Sequence, residues 1–258
     1  MAYQLLDANL ANIRLVATDM DGTLTQAGKF TPGLLQVLTD LQTANIQVIV
    51  VTGRSAGWVS GIAAYLPIAG AIAENGGLFY PYADDSPIAL TPIGDFDSHR
   101  QQLRDVFQKL QLQFPQIQAS ADNRFRLTDW TFEVQNLSVD QLQQLGKLCS
   151  DLGWGFTYSN VQCHIKPLSQ DKAAGLLQVL RDYFPEVTSE QVVTVGDSPN
   201  DESLFNPSYF PHSVGVANVR EYANQMQYQP KYITTASEGE GFGELARYLV
   251  RNRWHTRA

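Results

Sequence analysis

Apolar residues in this chain follow two rhythms. Residues 13–18, 46–51, 70–73 and 192–195 are short runs of mostly Ile, Val, Leu and Ala with few polar interruptions, and each ends in a polar cluster. Between such runs the apolar positions fall three and four apart. Thr31-Pro32 starts a helix, with Thr as the cap and Pro in the first turn. Leu34, Leu35, Val37, Leu38 and Leu41 then repeat at helical spacing. A second helix is expected over 58–65. A third is expected over 171–183, with Ala173, Leu176, Leu177 and Leu180 on one face. Short strands are expected at 213–216 and 232–234. A helix over 242–251 follows, its basic tail suited to the negative end of the helix dipole. Nearly continuous apolar strands separated by helices predict a parallel sheet covered on both faces.

The rhythm breaks between residues 80 and 169. Segments 98–112 and 140–152 read as amphipathic helices, and 124–134, 155–159 and 161–166 as strands. In the last of these Val161, Cys163 and Ile165 alternate with Gln162, His164 and Lys166, so one face is apolar and the other polar. The apolar parity of 124–134 shifts near Thr128-Asp129, which predicts a bulge or bend. The pattern gives an α/β fold whose parallel core, residues 1–79 and 170–258, is interrupted by an α+β insertion over 80–169. In the insertion the helices lie on the apolar face of an antiparallel sheet.

With 258 residues, 44% of them hydrophobic, the chain can bury a substantial core. A formal charge of −8 argues against general nucleic-acid binding, while leaving room for a small anionic ligand in a locally positive cleft. Cys149 and Cys163 form neither a metal spacing nor a disulfide framework, which fits a reducing compartment, and His99, His164, His212 and His255 are scattered. No apolar stretch approaches a membrane span, and the start lacks a signal-peptide pattern. A cytoplasmic protein is expected.

The polar clusters carry the chemistry. Ligands of open parallel sheets bind at the carboxyl ends of the strands. There the chain delivers Asp19-Met20-Asp21-Gly22-Thr23, Thr52-Gly53-Arg54, Glu74-Asn75, and Gly196-Asp197-Ser198-Pro199-Asn200-Asp201. Carboxylates at apolar strand tips are costly unless compensated. Either they cap turns and helix starts, as Pro199 suits for Asp197 or Asp201, or they hold a hard cation. Crowded acids repel, so some would keep a proton without such a cation, and magnesium is the economical choice. Lys172 stands in a helix's first turn, where the dipole disfavours a cation. It is either a solvated surface lysine or the partner of an anion.

In order and spacing, Asp19-Met20-Asp21-Gly22-Thr23, Thr52-Gly53-Arg54, Lys172 and Gly196-Asp197-Ser198-Pro199-Asn200-Asp201 resemble the four signature motifs of the haloacid dehalogenase-like hydrolases. The acid at Asp21 is similar to the phosphatase branch. The insertion resembles the cap of subfamily IIB, which includes sucrose-phosphate and mannosyl-phosphoglycerate phosphatases, and Glu74-Asn75-Gly76 resembles a loop of that group. The likeness spans all but about the first twelve residues and the extreme C-terminus. It implies a Rossmann-like core with a cap, and a magnesium-dependent phosphatase of a small phosphorylated metabolite, a sugar phosphate. Asp19 would be the nucleophile and Asp21 the acid and base. Thr52 and Lys172 would bind the phosphoryl group, and Asp19, the carbonyl of Asp21, Asp197 and Asp201 would hold the metal. Gly22, Gly53, Arg54, Asn75 and Asn200 would support substrate binding. Arg126 and His164, with Arg124 and Lys166, are candidate cap contacts. Expected partners are a small phosphorylated substrate, no nucleic acid and no membrane, in a monomer or homodimer. Two alternatives stay open: a phosphotransferase or mutase on the same scaffold, and a non-catalytic sugar-phosphate-binding protein.

Overall fold

The computed structural model of the protein describes residues 3–5, 9–82 and 86–255. In chain order the first elements are β1 (Tyr3–Gln4), β2 (Leu15–Thr18), α1 (Pro32–Thr43), β3 (Gln47–Val51), α2 (Ala56–Tyr65), β4 (Gly70–Ala73), β5 (Leu78–Pro81) and β6 (Ile88–Ala89). Next come α3 (Phe96–Gln113), β7 (Trp130–Glu133), α4 (Val139–Asp151), β8 (Gly155–Tyr158) and β9 (Gln162–Lys166). The chain continues through α5 (Lys172–Tyr183), β10 (Val192–Gly196), β11 (Ser213–Gly215), β12 (Tyr232–Ile233) and α6 (Glu238–His255).

A nine-stranded sheet runs in the order β1-β12-β11-β10-β2-β3-β4-β5-β6. All pairings from β1 to β4 are parallel, and β5 and β6 close one edge antiparallel. From β2 the chain builds outward to β3 and β4 on one side. After β9 it returns to build β10, β11 and β12 on the other. The β2–β10 seam is therefore the point where strand order reverses, and such points are where open α/β sheets bind ligands.

Strand alternation explains why both faces are covered. Val16, Val48, Val50, Val193 and Val195 pack against Leu34, Leu38 and Leu41 of α1, Val59 of α2, and Phe242 and Leu245 of α6. Their neighbours Leu15, Ala17, Ile49 and Val51 point the other way, onto Ala173, Leu176 and Val179 of α5. In α1 the Thr31 hydroxyl accepts from the Leu34 amide at 3.3 Å with Pro32 at the first position, as the sequence predicts, but Leu35 is exposed. Leu35 lies outside the i, i+4, i+7 stripe that Leu34, Leu38 and Leu41 form.

The second sheet is three-stranded, antiparallel, in the order β7-β9-β8. One face carries Trp130, Phe132, Phe156, Cys163 and Ile165 against Leu103, Phe107 and Leu110 of α3 and Leu142, Leu145 and Cys149 of α4. The opposite face carries Thr131, His164, Gln162 and Lys166, all buried although polar. They are covered by the large sheet's loops.

Three expectations are corrected. Residues 124–134 are not one strand: a 3₁₀ turn over Ala121–Phe125 precedes the short β7. The parity shift marks a segment whose polar residues turn inward, Arg126 and Thr128 bonding to Gly53 and Glu74 of the core and Asp129 to Arg126 and His164. The core also extends past residue 80, because β6, at 88–89, pairs with β5 in the large sheet. Finally, Val161 leaves the apolar face. It sits in the 159–162 turn, its amide donating to the Ser159 hydroxyl, and lines the cleft between the sheets. Two-residue strands such as β1 and β6 are too short to show a period. Among the described residues no helix is long and apolar enough to cross a membrane.

Candidate active site

The acids converge as the strand-end rule requires. Asp19 follows β2, and its amide still bonds to the Val195 carbonyl of β10 at 2.9 Å, so it stands beside Asp197, which follows β10. Ligand atoms of Asp19, Asp197 and Asp201 lie within 4.8 Å of one another, and all three residues are buried. Gly22, at φ 79°, turns the chain away from the site, and any side chain there would strike the Asp197 carboxylate.

Lys172 is not a surface lysine. It is fully buried at the start of α5, with Nζ 2.5 Å from Asp19 Oδ1 and 2.6 Å from Asp201 Oδ1. Burial works against its charge, yet Asp19 and Asp201 outweigh it and hold the ammonium above its usual pKa. Burial pushes Asp19 up to about 7 against the pull of Lys172, with Asp201 and Asp21 adding to the rise. Burial, Asp19 and Asp201 raise Asp197 well above the usual carboxylate range. One lysine does not neutralise this cluster, and its donors are all hard oxygens, so the residues fit a divalent cation.

The acids differ in what their oxygens already hold. Asp201 Oδ2 accepts from the amides of Asp197 and Ser198 at 2.9 and 3.1 Å, so both of its oxygens are engaged. Asp197 accepts from the Thr23 hydroxyl at 3.2 Å and from Asn218 Nδ2 at 2.9 Å. Asp19 Oδ2 accepts no hydrogen bond among the described residues, which leaves it open. Asn218 escaped the sequence reading, although it follows β11 at the same sheet edge and the strand-end rule could have found it.

Asp21 is gripped by Arg54, whose Nη2 and Nε donate to its two oxygens at 2.6 and 2.8 Å. Arg54 also lies over the Trp58 ring, 5.4 Å from its centroid. The Thr52 hydroxyl accepts from the Arg54 amide at 3.2 Å. Asn200 Nδ2 donates to Asn75 Oδ1 at 3.0 Å, while Asn75 Nδ2 is buried with no partner among the described residues. Glu74 lines no open space. Its carboxylate ties Ala56, Leu127 and Thr128 together, joining the large sheet to the segment before β7.

From the small sheet, His164, Gln162, Val161 and Ser159 close over Asp19, Asp21, Thr52, Gly53, Arg54 and Asn200, around a cavity of about 10 Å³. That is room for no more than about one water. Larger hollows, of about 840 and 460 Å³, lie at the amino ends of the strands, away from the acids. Asp19, Asp21, Thr52 and Arg54 line the small cavity and neither of the larger ones. Arg126 does not serve as an open cap contact. Its side chain is buried and bonds to Asp129, Asp122, Gln162 Oε1 and the Gly53 carbonyl. Lys166 donates to the Gln170 carbonyl, and Arg124 stacks on Phe125, so neither lines the cavity.

The large sheet thus carries the acids at its strand ends, and the lobe of the small sheet closes over them. A family model described as haloacid dehalogenase-like hydrolase matches residues 16–125. Phosphoglycolate phosphatases from Methanothrix thermoacetophila and Staphylothermus marinus are similar at 28% and 27% identity. Each alignment covers 92% of this chain and 97% or 98% of the relative. The fold is shared with Thermoplasma acidophilum 0175, at TM-score 0.73 and 18% identity over 92% of this chain and 98% of that one. It is also shared with the sucrose-phosphatase of Synechocystis, at TM-score 0.67 and 17% identity over 92% and 98%. Over residues 16–125 the chain is thus similar to haloacid dehalogenase-like hydrolases, and over nearly its whole length to phosphoglycolate phosphatases.

Proposed function

We propose that the protein hydrolyses a small phosphorylated metabolite, a sugar phosphate, through an aspartyl-phosphate, with magnesium as its cation. The observation that carries this reading is the asymmetry of Asp19. Asp19 lines the cavity, Lys172 holds one of its oxygens, and the other accepts no hydrogen bond among the described residues. Asp19 Oδ2 forms the bond to phosphorus as the bond to the leaving oxygen breaks. Asp21 gives its proton to that oxygen, then takes one from the water that attacks the aspartyl-phosphate, releasing phosphate and restoring Asp19. For either transfer one of the two Arg54 bonds to Asp21 must loosen. Lys172, the Thr52 hydroxyl and the unpartnered Asn75 amide would hold the phosphoryl oxygens. Asp19 and Asp197, with the carbonyl of Asp21, would hold the magnesium. Asp201 acts behind them by fixing Lys172 and the 197–198 amides. When bound, the ion supplies charge stabilisation for the transferring phosphoryl group.

The cavity is too small for any phosphate ester, so the lobe carrying β9 opens for substrate and closes to shut out bulk water. The test is turnover of 4-nitrophenyl phosphate by purified protein with magnesium, with excess chelator, and as Asp19→Asn. Activity confined to the magnesium-loaded wild type is expected. Equal activity in chelator, or in the variant, would overturn the assignment.

A further inference from the structure

His164 lines the cavity from the lobe of the small sheet. Its ring is buried, and Cε1 would lie 3.1 Å from a Cβ placed on Gly53. Nδ1 is 2.8 Å from Asp129 Oδ2, while Nε2 has no hydrogen-bond partner among the described residues. Asp129 is itself fully buried, and Arg126 Nη1 donates to its oxygens at 2.9 and 3.1 Å.

The protons in this pair are fixed by its surroundings. Burial opposes the Asp129 charge, but Arg126 and His164 outweigh it and hold the carboxyl below its usual range. An ionised carboxylate only accepts, so Nδ1 carries the hydrogen. Burial also lowers His164, against the pull of Asp129, which leaves the ring neutral and Nε2 a bare acceptor. Of the other polar cap groups at the cavity, Ser159 takes the Val161 and Gln162 amides on its hydroxyl oxygen. Gln162 is spent at both ends, taking Arg126 on Oε1 and giving Nε2 to Asp122. Arg54 is the cation among the residues lining the cavity, and Asp21 takes its fork. Asp122, Arg126, Asp129, Gln162 and His164 all lie in the lobe of the small sheet, and Arg126 also reaches the Gly53 carbonyl of the core.

We propose that the Asp129–His164 pair selects the leaving group: His164 Nε2 accepts a hydrogen bond from a hydroxyl of the departing alcohol, so the substrate is the phosphate of a neutral polyol and not of a hydroxy-carboxylate. The proposal rests on the phosphatase reading above. Asp129 is a positioning residue that acts through His164. A carboxylate placed there would face a lone pair and find no free cation, whereas a hydroxyl supplies the missing donor.

The test has two arms. Imidazole ¹⁵N NMR at pH 7, assigned with His164→Phe, should show His164 neutral with its hydrogen on Nδ1. His99, whose Nε2 lies 2.9 Å from the Thr128 carbonyl, should show the opposite tautomer. An Nε2–H tautomer or an imidazolium at His164 would overturn the proposal. Kinetically, wild type should favour glycerol 3-phosphate over phosphoglycolate in kcat/KM by at least about tenfold. Asp129→Asn, whose amide can donate to Nδ1 and move the hydrogen to Nε2, should shrink that ratio by a similar factor. If Asp129→Asn does not fold, His164→Phe should lower the ratio of glycerol 3-phosphate to 4-nitrophenyl phosphate turnover at least about fivefold. Preference for phosphoglycolate alongside aryl phosphate turnover would overturn the leaving-group assignment alone. Turnover of none of these esters would overturn the phosphatase reading and this proposal with it.

Discussion

Glu74→Ala removes an acceptor on which two parts of the molecule converge. Glu74 is fully buried just past β4. Its carboxylate accepts from the Ala56 amide at 2.8 Å, the Leu127 amide at 3.0 and 3.1 Å, the Thr128 amide at 2.6 Å and the Thr128 hydroxyl at 2.7 Å. The hydroxyl can turn elsewhere, but the Ala56 and Thr128 amides are buried and would be orphaned, at about 1–3 kcal/mol each. Part of this is recovered because the buried charge is itself unfavourable: burial and Asp129 raise the Glu74 pKa against the pull of Arg126 and the Ala56 and Thr128 amides. A net loss of about 3 kcal/mol follows, or about 6–12 °C in Tm for a chain of this size. Glu74→Gln keeps one acceptor oxygen and should lose about half as much. Thermal unfolding gives the magnitude. Hydrogen exchange gives the location, with protection lost first around residues 56 and 127–128. A Tm within about 2 °C of wild type for Glu74→Ala would refute the view that this carboxylate joins the two lobes.

Asp19→Asn should abolish phosphate release without lowering Tm by more than about 3 °C. Lys172 keeps Asp201, and Asp19 is pushed up to about 7, so its charge adds little to the metal-free fold. Retained turnover, or gross unfolding, would contradict this. Magnesium should raise the Tm of wild type in a concentration-dependent way and raise that of Asp197→Asn far less, as expected for a ligand that binds only the folded site. Equal shifts would remove Asp197 from the metal site. Calcium should fail to replace magnesium in turnover, because its larger, looser shell spoils in-line geometry. Full activity with calcium would count against that step. Gly175→Ala should lower both Tm and kcat, since its Cβ would sit 2.7 Å from the Gly76 Cα and push α5, which carries Lys172, off the sheet. Unchanged kcat in a folded variant would show that Lys172 tolerates the shift.

What the sequence made legible was what repeats. The strands at β2, β3, β4 and β10 announce themselves because both faces are buried, so nearly every residue is apolar. Their carboxyl ends could then be searched for acids, and Asp19, Asp197, Asp201 and Lys172 do meet. What stayed hidden depends on contacts far apart in the chain. Arg126 looks like a cap cation awaiting an anion until the fold brings Gln162 and the Gly53 carbonyl onto it. Asp129 looks like a bulge residue until His164 arrives from β9. Glu74 looks like strand-end polarity until residues 127–128 are drawn onto its carboxylate. Neither period nor spacing encodes these partners.

The two meanings of the strand-end acids, helix capping and chemistry, are not alternatives in this fold. Asp201 caps the turn at Pro199–Phe205 with one oxygen and holds Lys172 with the other. Lys172 in turn reaches Asp19. The capping bond thus sets where the lysine stands, and the lysine decides which oxygen of Asp19 is left open. A purely local role for Asp201 would leave the buried ammonium with Asp19 as its one partner and the Asp201 carboxylate without a cation, which is costly on both sides. Shared between cap and lysine, the same carboxylate links the geometry of the β10 loop to the oxygen proposed to attack phosphorus. Errors in that loop therefore fall on the chemistry before they fall on the fold.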